Sequence, residues 1–286
     1  MKKIYTSIFV LLLFSISAHA FQVNNFNLKV GSSYNIEVNQ SQEISQIIMG
    51  NPNTITTENT SLELLDVESV NADGNYTLRL TVLKQRTAVS SPMMSMVEDT
   101  EDPSTGSGLY GALKNSSYSF LMSNKGEIIS ISGLDEVKES VKSQLSGNLQ
   151  ALSQVDVLFN EDMIRSTLEL RFSYFPESQE MNWSENKTMT MNAMPIEMAT
   201  KYSYENNYTI KAASEITIDA TTVQMGTNVE LDLTGNQDSF YRLNEVTGFP
   251  TSFESVNNII GNAAAAGMLI PMTIETDTKT TFTLQN

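Results

Sequence analysis

Methionine is the residue type in this chain whose spacing is most indicative of binding chemistry. Thioethers bind Cu(I), and Met189 and Met191 would project from the same side of a strand. Methionine more commonly fills irregular apolar surfaces, either in a core or in a cavity that accepts apolar guests. We therefore predict no metal site and no cofactor, but an apolar-ligand cavity lined by Met189, Met191, Met194, Met198, Trp183 and Met268.

The sequence lacks the two residue types on which many catalytic sites depend. It contains no cysteine and a single histidine, His19, whereas catalytic triads, thiol nucleophiles and zinc sites need one of these residue types. A glycosidase needs a carboxylate pair in a groove lined with aromatic rings, and the chain has one tryptophan. We predict that the protein is not an enzyme and has no catalytic residues.

The N-terminus has the three parts of a signal peptide. Lys2 and Lys3 precede a mainly apolar stretch, and Ala18-His19-Ala20 forms a small-x-small cleavage site. The apolar stretch is shorter than the roughly 20 residues of a membrane-spanning helix. Without cysteine, neither a lipid anchor at cysteine nor a disulfide is available. We expect a periplasmic or secreted protein that does not span a membrane.

The charge balance limits the partners. Lys and Arg number 17 and Asp and Glu 33, for a net charge of −16, which excludes nucleic acid as a partner because its phosphates need a basic face. An apolar small molecule or lipid and an envelope protein remain as partners.

The acidic segment 98–102 lacks the spacing of a calcium loop, and the Pro, Ser and Gly residues after it favour a mobile connector.

Apolar residues alternate with polar ones along much of the chain, as at Tyr34, Ile36 and Val38 and again at Leu168, Leu170 and Phe172. This period of two predicts a mainly β (α+β) fold of long antiparallel curved sheets. Turn residues support the meander at Asp73-Gly74-Asn75, Asn124-Lys125-Gly126 and Gly235-Asn236-Gln237-Asp238.

A short helical block separates two β-rich segments. Leu134, Val137 and Val141 have helical spacing, and residues 149–164 form a second helical stretch. The segments are imperfect repeats, because Phe26 and Phe175 each precede a long strand and Asn75-Tyr76-Thr77 is echoed by Asn207-Tyr208-Thr209. We divide the chain into a signal peptide (1–20), a first β-rich repeat (21–148), a helical connector (149–166) and a second β-rich repeat (167–286).

The uncharged segment 259–270 has two interpretations. It is either a buried hairpin or short helix leading to the last strand, or a lid over an apolar cavity with glycine hinges at Gly261 and Gly267.

Several turn and strand motifs together resemble a domain family of unknown function found in exported proteins and lipoproteins of Bacteroidota. They are Gly31 through Val38, Asp73-Gly74-Asn75-Tyr76-Thr77, Gly111-Ala112-Leu113 leading into Tyr118 to Met122, Lys125-Gly126-Glu127 followed by Gly133-Leu134-Asp135, and Phe175-Pro176 followed by Trp183. The resemblance implies a β fold and export. It does not imply any particular activity. The chain departs from the family in lacking the cysteine of a lipoprotein.

The functional hypothesis is an exported, soluble, non-enzymatic protein that carries or senses an apolar ligand, such as a lipid, in the cell envelope. The alternative is a structural or protein-interaction module of the envelope with a filled core.

Overall fold

The computed structural model describes residues 22–102, 108–145, 149–191, 194–224 and 227–285, so the predicted signal peptide lies outside the described residues. The strands are β1 (Ser33–Ile48), β2 (Asn51–Val70), β3 (Tyr76–Ser90), β4 (Ser95–Asp99), β5 (Ser117–Met122), β6 (Ile128–Ser132), β7 (Asn182–Met191), β8 (Met194–Asn206), β9 (Thr209–Gln224), β10 (Thr227–Leu243), β11 (Pro250–Ala265) and β12 (Met268–Leu284). The helices are α1 (Leu109–Leu113), α2 (Leu134–Gln144), α3 (Leu149–Leu158) and α4 (Glu161–Phe172).

All described strands belong to one antiparallel sheet. Its order is β6-β5-β3-β2-β1-β12-β11-β10-β9-β8-β7, and β4 pairs with the far end of β3. The first and last strands meet in a long ladder, from Tyr34 opposite Leu284 to Gln46 opposite Met272. The predicted mainly β fold of long antiparallel strands, with a helical block between two β-rich segments, is confirmed.

The helical block forms where the apolar spacing predicts it, but it extends farther along the chain. The prediction of a strand at Leu168, Leu170 and Phe172 is wrong, because these residues lie in α4. Leu168 and Phe172 are four residues apart and share the buried face of this helix.

Helix α2 buries Leu134, Val137 and Val141, the residues of its apolar stripe. Helix α4 begins after Asn160, whose side-chain oxygen accepts hydrogen bonds from the backbone N–H groups of Asp162 (2.9 Å) and Met163 (3.2 Å). This N-cap satisfies donors that have no partner within the helix.

Helix α4 contacts both edges of the sheet. The Arg165 guanidinium donates to the Ile128 carbonyl of β6, and the Thr190 N–H of β7 donates to Ser166 Oγ at 3.0 Å. Near the middle of the sheet, the Tyr241 hydroxyl donates to the Leu170 carbonyl at 2.9 Å. Because one helix reaches the strands at both ends, the sheet must curve around α4. The face turned toward α4 is called the inner face below.

Aromatic rings form the centre of the main core. Phe172, at the end of α4, lies 5.7 Å from the Phe249 ring and 6.3 Å from the Phe120 ring between ring centroids. We call this set the aromatic core, and its fully or almost fully buried rings are Phe26, Phe120, Phe172, Tyr174, Tyr241, Phe249 and Phe282. Such rings contribute large buried area and specific edge and stacking contacts.

Of two sequence predictions about glycine-containing segments, one is wrong and the other is correct in one of its alternatives. The segment Gly235–Asp238 lies inside β10, not in a turn. A Cβ at Gly235 would come within 2.3 Å of the Asn258 carbonyl oxygen on β11, so this glycine permits close approach of two strands. The segment 259–270 forms the predicted hairpin leading to the last strand, because it comprises the end of β11, a tight turn and the start of β12. It is neither a helix nor a lid, and its turn is exposed at Leu269.

The acidic segment 98–102 is also more ordered than a mobile connector. Thr100 donates its N–H to the Gln85 carbonyl at 3.0 Å, and Glu101 forms ion pairs with Lys114 (2.5 Å) and Lys84 (3.4 Å). These contacts hold the segment against β3. Residues 103–107 lie outside the described residues.

Within the described part of the chain, none of the helices combines the length and the apolar character that crossing a membrane requires.

Candidate ligand-binding site

The inner face changes its chemical character along the strands. The β1–β2, β3–β4 and β11–β12 hairpins turn at the same end of the sheet, which we call the rim. The aromatic core lies toward the opposite end, where the β2–β3 and β10–β11 hairpins turn. From the aromatic core to the rim the inward-pointing side chains pass from aromatic to neutral polar and then to aliphatic. Side chains two residues apart share a face, so each class forms a row across several strands.

The middle rows contain neutral polar side chains. The register sets Thr87 opposite Asn59, Asn59 opposite Gln40 and Gln40 opposite Thr278, and the row continues through Ser255 and Ser239. The next row toward the rim runs through Gln42, Thr276, Asn257, Gln237, Ser214 and Thr200. We call these twelve residues the polar band.

Hydrogen bonds within the polar band leave two buried oxygen atoms without a partner. Asn59 donates to Gln40 (3.1 Å), Gln42 donates to Thr276 (3.2 Å), and the hydroxyls of Thr200 and Ser214 are 2.8 Å apart. Thr87 Oγ1 and Asn257 Oδ1 are buried and have no hydrogen-bond partner among the residues that the structure describes. A buried polar atom without a partner is uncommon in folded proteins and indicates a place where a water or a ligand completes the site.

Aliphatic and methionine side chains follow on the rim side of the polar band. One row sets Ile55, Ile44, Ile274 and Ile259 in register. Met189, Met198, Ile216, Ile218, Leu233 and Ile259 form a buried cluster that is separate from the main core. We call this cluster, with the partly buried Ile274, Met272 and Ile196 packed against it, the aliphatic zone.

A cleft separates α4 from the polar band. Its volume is about 300 Å³, and its walls include Gln40, Asn59 and Asn257 from the sheet and Leu170 and Arg171 from α4. This volume lies at the lower end of the range for small-molecule pockets. A second cavity, beside Met189 and Met198, holds only about 20 Å³, so the side chains of the aliphatic zone occupy nearly all the space there.

The only charged side chain lining the 300 Å³ cleft, among the described residues, is already paired. Arg171 Nη1 lies 2.5 Å from Glu63 Oε2 on β2, and both side chains are largely buried. A buried ion pair stays stable only while both partners are present. The surface offered to a ligand in this cleft therefore carries no free charge and combines polar side chains with apolar ones such as Val38, Leu170 and Phe253.

Glu169 lies on α4 beside the aliphatic zone. Burial raises its pKa above the ordinary value of 4.5, while Lys187 and Arg165 act in the opposite direction. Glu169 also lines the small cavity with Met189 and Met198. Partial burial removes water from the Glu169 carboxylate and so disfavours its charged form.

The structure brings some of the predicted cavity residues together and separates others. Met189 and Met198 are both buried in the aliphatic zone, and Met194 lies half-buried at the nearby end of β8, opposite Met191. Nothing is described of the Met191 side chain. Trp183 stacks on Tyr202 at a centroid distance of 5.1 Å, next to the main core, and Met268 is exposed at the rim.

The polar band is not among the features predicted from the sequence. Its members are neutral residues at the inward phase of strands, such as Gln40 and Gln42 directly after Ile36 and Val38. The alternating pattern places polar residues on the solvent-exposed face of a strand. Where several neighbouring strands carry a polar residue at an inward-facing position, these residues form a polar strip on the buried face.

In the described residues, no group of three or more His, Cys, Asp or Glu side chains is placed to hold a metal ion.

The fold and the inner face define a class of protein: a single curved antiparallel sheet that encloses a helix and a neutral cleft. A family model of unknown function, DUF6263, matches residues 73–250. The chain belongs to this family of unknown function. No curated protein sequence matches it.

Several solved structures align with this chain at low sequence identity. A structure titled for lipid–protein interactions in lipovitellin aligns with a TM-score of 0.53 and 11% identity over 91% of this chain. This chain spans only 26% of that one. An outer membrane channel from Pseudomonas putida F1 covers 90% of this chain at 10% identity with a TM-score of 0.28, and the channel chain is itself 97% covered. The translocator domain of the autotransporter NalP from Neisseria meningitidis has a TM-score of 0.24 at 6% identity, covering 90% of each chain.

Proposed function

We propose that the protein is a non-enzymatic carrier or sensor of an amphipathic ligand in the cell envelope, with the inner face as its binding site. The apolar part of the ligand contacts the aliphatic zone, and an uncharged polar group contacts the polar band. Export to the periplasm or the exterior is part of the proposal, since the N-terminal sequence has the features of a signal peptide.

The observation that carries the proposal is the unpartnered Asn257 Oδ1 in the wall of the 300 Å³ cleft. A core that serves only stability would place an apolar residue there, because burying an unsatisfied polar atom costs about 1–3 kcal/mol. A ligand hydroxyl or amide N–H in the cleft would donate to this oxygen. The polar band would then bind the polar group of the ligand, while an adjacent apolar region contacts its apolar part.

The absence of free charge in the cleft limits which headgroups a ligand can carry. Arg171 is neutralised by Glu63 at 2.5 Å, so no charge in the cleft is left to pair with a carboxylate or a phosphate. A charged headgroup would lose its hydration without compensation. A long-chain alcohol or another lipid with a neutral headgroup fits this surface, whereas a fatty acid does not.

The fold is compatible with this role. The lipovitellin structure, whose title concerns lipid–protein interactions, shares the curved sheet, and this likeness supports the fold alone. The aliphatic zone is filled in this structure, since the cavity beside Met189 and Met198 measures about 20 Å³. Ligand entry therefore requires the methionine side chains to move, which their flexibility permits.

The test combines native mass spectrometry with a matched pair of variants on β11. Asn257 faces inward and Asn258 faces outward, so Asn257→Leu and Asn258→Leu make the same chemical change on opposite faces. We expect copurified lipid on the wild-type protein, and dodecanol that displaces a hydrophobic fluorescent dye. Asn257→Leu should lower the dodecanol affinity about tenfold, because the hydrogen bond is lost. Asn258→Leu should leave it unchanged.

A protein of clean mass that takes up neither dye nor dodecanol would contradict the proposal and favour an interaction module with a filled core. Tighter binding of dodecanoate than of dodecanol would contradict the neutral ligand class.

A further inference from the structure

Three hairpin turns at the rim present exposed apolar side chains. The β1–β2 turn carries Met49, the β3–β4 turn carries Met93 and Met94, and the β11–β12 turn is followed by Met268 and Leu269. The three hairpins are neighbours, because the sheet order sets β3 beside β2 and β1 beside β12. We call these three turns the apolar rim.

The exposure at the apolar rim is large. Met93 is 93% exposed, Met49 is 81% exposed and Leu269 is 67% exposed. Single exposed apolar residues are ordinary on protein surfaces, whereas a contiguous group marks an interaction site.

The hairpins that form the apolar rim contain no charged residue near their turns. Residues 44–57, 87–97 and 255–274 include no Asp, Glu, Lys, Arg or His, in a chain with a net charge of −16. Six strands about 4.8 Å apart form these hairpins, so the uncharged border is roughly 25 Å wide. The acidic side chains lie farther from the rim, as at Glu43, Glu58 and Glu275.

Met49 occupies a turn position that favours a different residue. Its φ is 50° and that of Gly50 is 79°, which are the left-handed angles of a two-residue turn in which Asn-Gly is strongly preferred. A methionine there is strained and contacts water instead of the protein. A residue that breaks a local rule without a gain for folding is a candidate for function.

We propose that the apolar rim docks on an uncharged lipid surface, with the methionine and leucine side chains inserted between the headgroups. Separate protruding turns with flexible thioethers match a deformable surface better than the flat face of a second protein. The absence of charge near the turns fits neutral headgroups, and the acidic remainder of the chain is repelled by anionic lipid. This surface is distinct from the cleft, and the proposal does not depend on the ligand.

Cosedimentation with vesicles tests the proposal through a matched pair of variants. Met49→Asn removes the apolar side chain and installs the residue that the turn prefers, so the variant should be at least as thermally stable as the wild type. Val246→Asn likewise replaces an exposed apolar side chain with asparagine, at a residue 76% exposed at the opposite end of the sheet. With phosphatidylcholine vesicles, Met49→Asn should lower partitioning about tenfold, and Val246→Asn should have no effect.

Several outcomes would overturn the docking proposal. These are no wild-type binding to phosphatidylcholine vesicles, equal binding by Met49→Asn, and binding that increases as phosphatidylglycerol is added. A wild-type dimer that Met49→Asn converts to a monomer in light scattering would assign the apolar rim to a second copy of the chain instead. The dodecanol affinity of Met49→Asn should equal that of the wild type, which keeps this test separate from the ligand test.

Discussion

The inner face of this sheet holds two apolar regions that differ in kind. The aromatic core combines fully buried rings with a buried ion pair and the end of α4. The aliphatic zone contains flexible and branched aliphatic side chains, lies beyond the polar band, and has partly buried residues at its border. The packed rings of the first region stabilise the fold, and our proposal assigns ligand binding to the second region.

Truncation of one residue in each region tests this comparison with the largest expected effect. Phe172→Ala removes a ring that contacts four other rings of the core and should cost about 3–5 kcal/mol of unfolding free energy. Met198→Ala in the aliphatic zone should cost about 2 kcal/mol, at the low end for a buried methionine. Urea unfolding measures both, and equal costs would remove the distinction between the regions.

The second-largest expected change in unfolding free energy concerns the ion pair between Glu63 and Arg171 beside the cleft. Glu63→Gln leaves Arg171 charged and buried, and should cost about 3 kcal/mol. The double variant Glu63→Leu with Arg171→Met should recover most of this loss, because apolar residues of similar volume replace a buried pair well. Thermal unfolding of the single and double variants measures the recovery. A double variant as unstable as Glu63→Gln would show that the pair positions α4 in a way apolar packing cannot.

A smaller effect concerns Glu169, which borders the aliphatic zone. Its folded-state pKa is raised above 4.5 by burial, so between the unfolded and folded pKa values the folded protein binds more protons than the unfolded chain. The free energy of unfolding therefore falls as the pH rises through this window. Glu169→Gln should abolish this dependence and be more stable than the wild type at neutral pH.

Unfolding measured from pH 4 to pH 8 (about the range of carboxylate titration) checks the prediction for Glu169. Glu139→Gln, on the exposed side of α2, serves as the control and should keep the wild-type profile. An unchanged profile in Glu169→Gln would show that this carboxylate is not the group that responds to pH.

Most of the fold follows from local sequence patterns. The period of two at Tyr34 to Val38 and the helical spacing at Leu134 to Val141 depend only on which side is buried, so both elements are predicted correctly. The joining of β1 to β12 depends on contacts between the ends of the chain, which no local pattern contains.

The errors have a common physical origin. Gly235 and the glycines of segment 259–270 resemble turn or hinge residues, because glycine serves both turns and close strand approach. Only the neighbouring strand, with the Asn258 carbonyl 2.3 Å from a Cβ at Gly235, decides between these uses. The residues predicted to line a cavity are only partly neighbours in the structure. Met189 and Met198 share the aliphatic zone, whereas Trp183 and Met268 lie at other positions along the strands, which the local sequence does not specify.

The most direct test of the two-region account is methyl NMR of protein labelled at the methionine methyl groups, titrated with dodecanol. Met189 and Met198 report on the aliphatic zone, and Met122, which is 0% exposed in the main core, reports on the structural region. We predict that the Met189 and Met198 signals shift in a saturable manner while the Met122 signal stays fixed. Equal shifts at all three residues, or no shift at Met189 and Met198, would contradict the account.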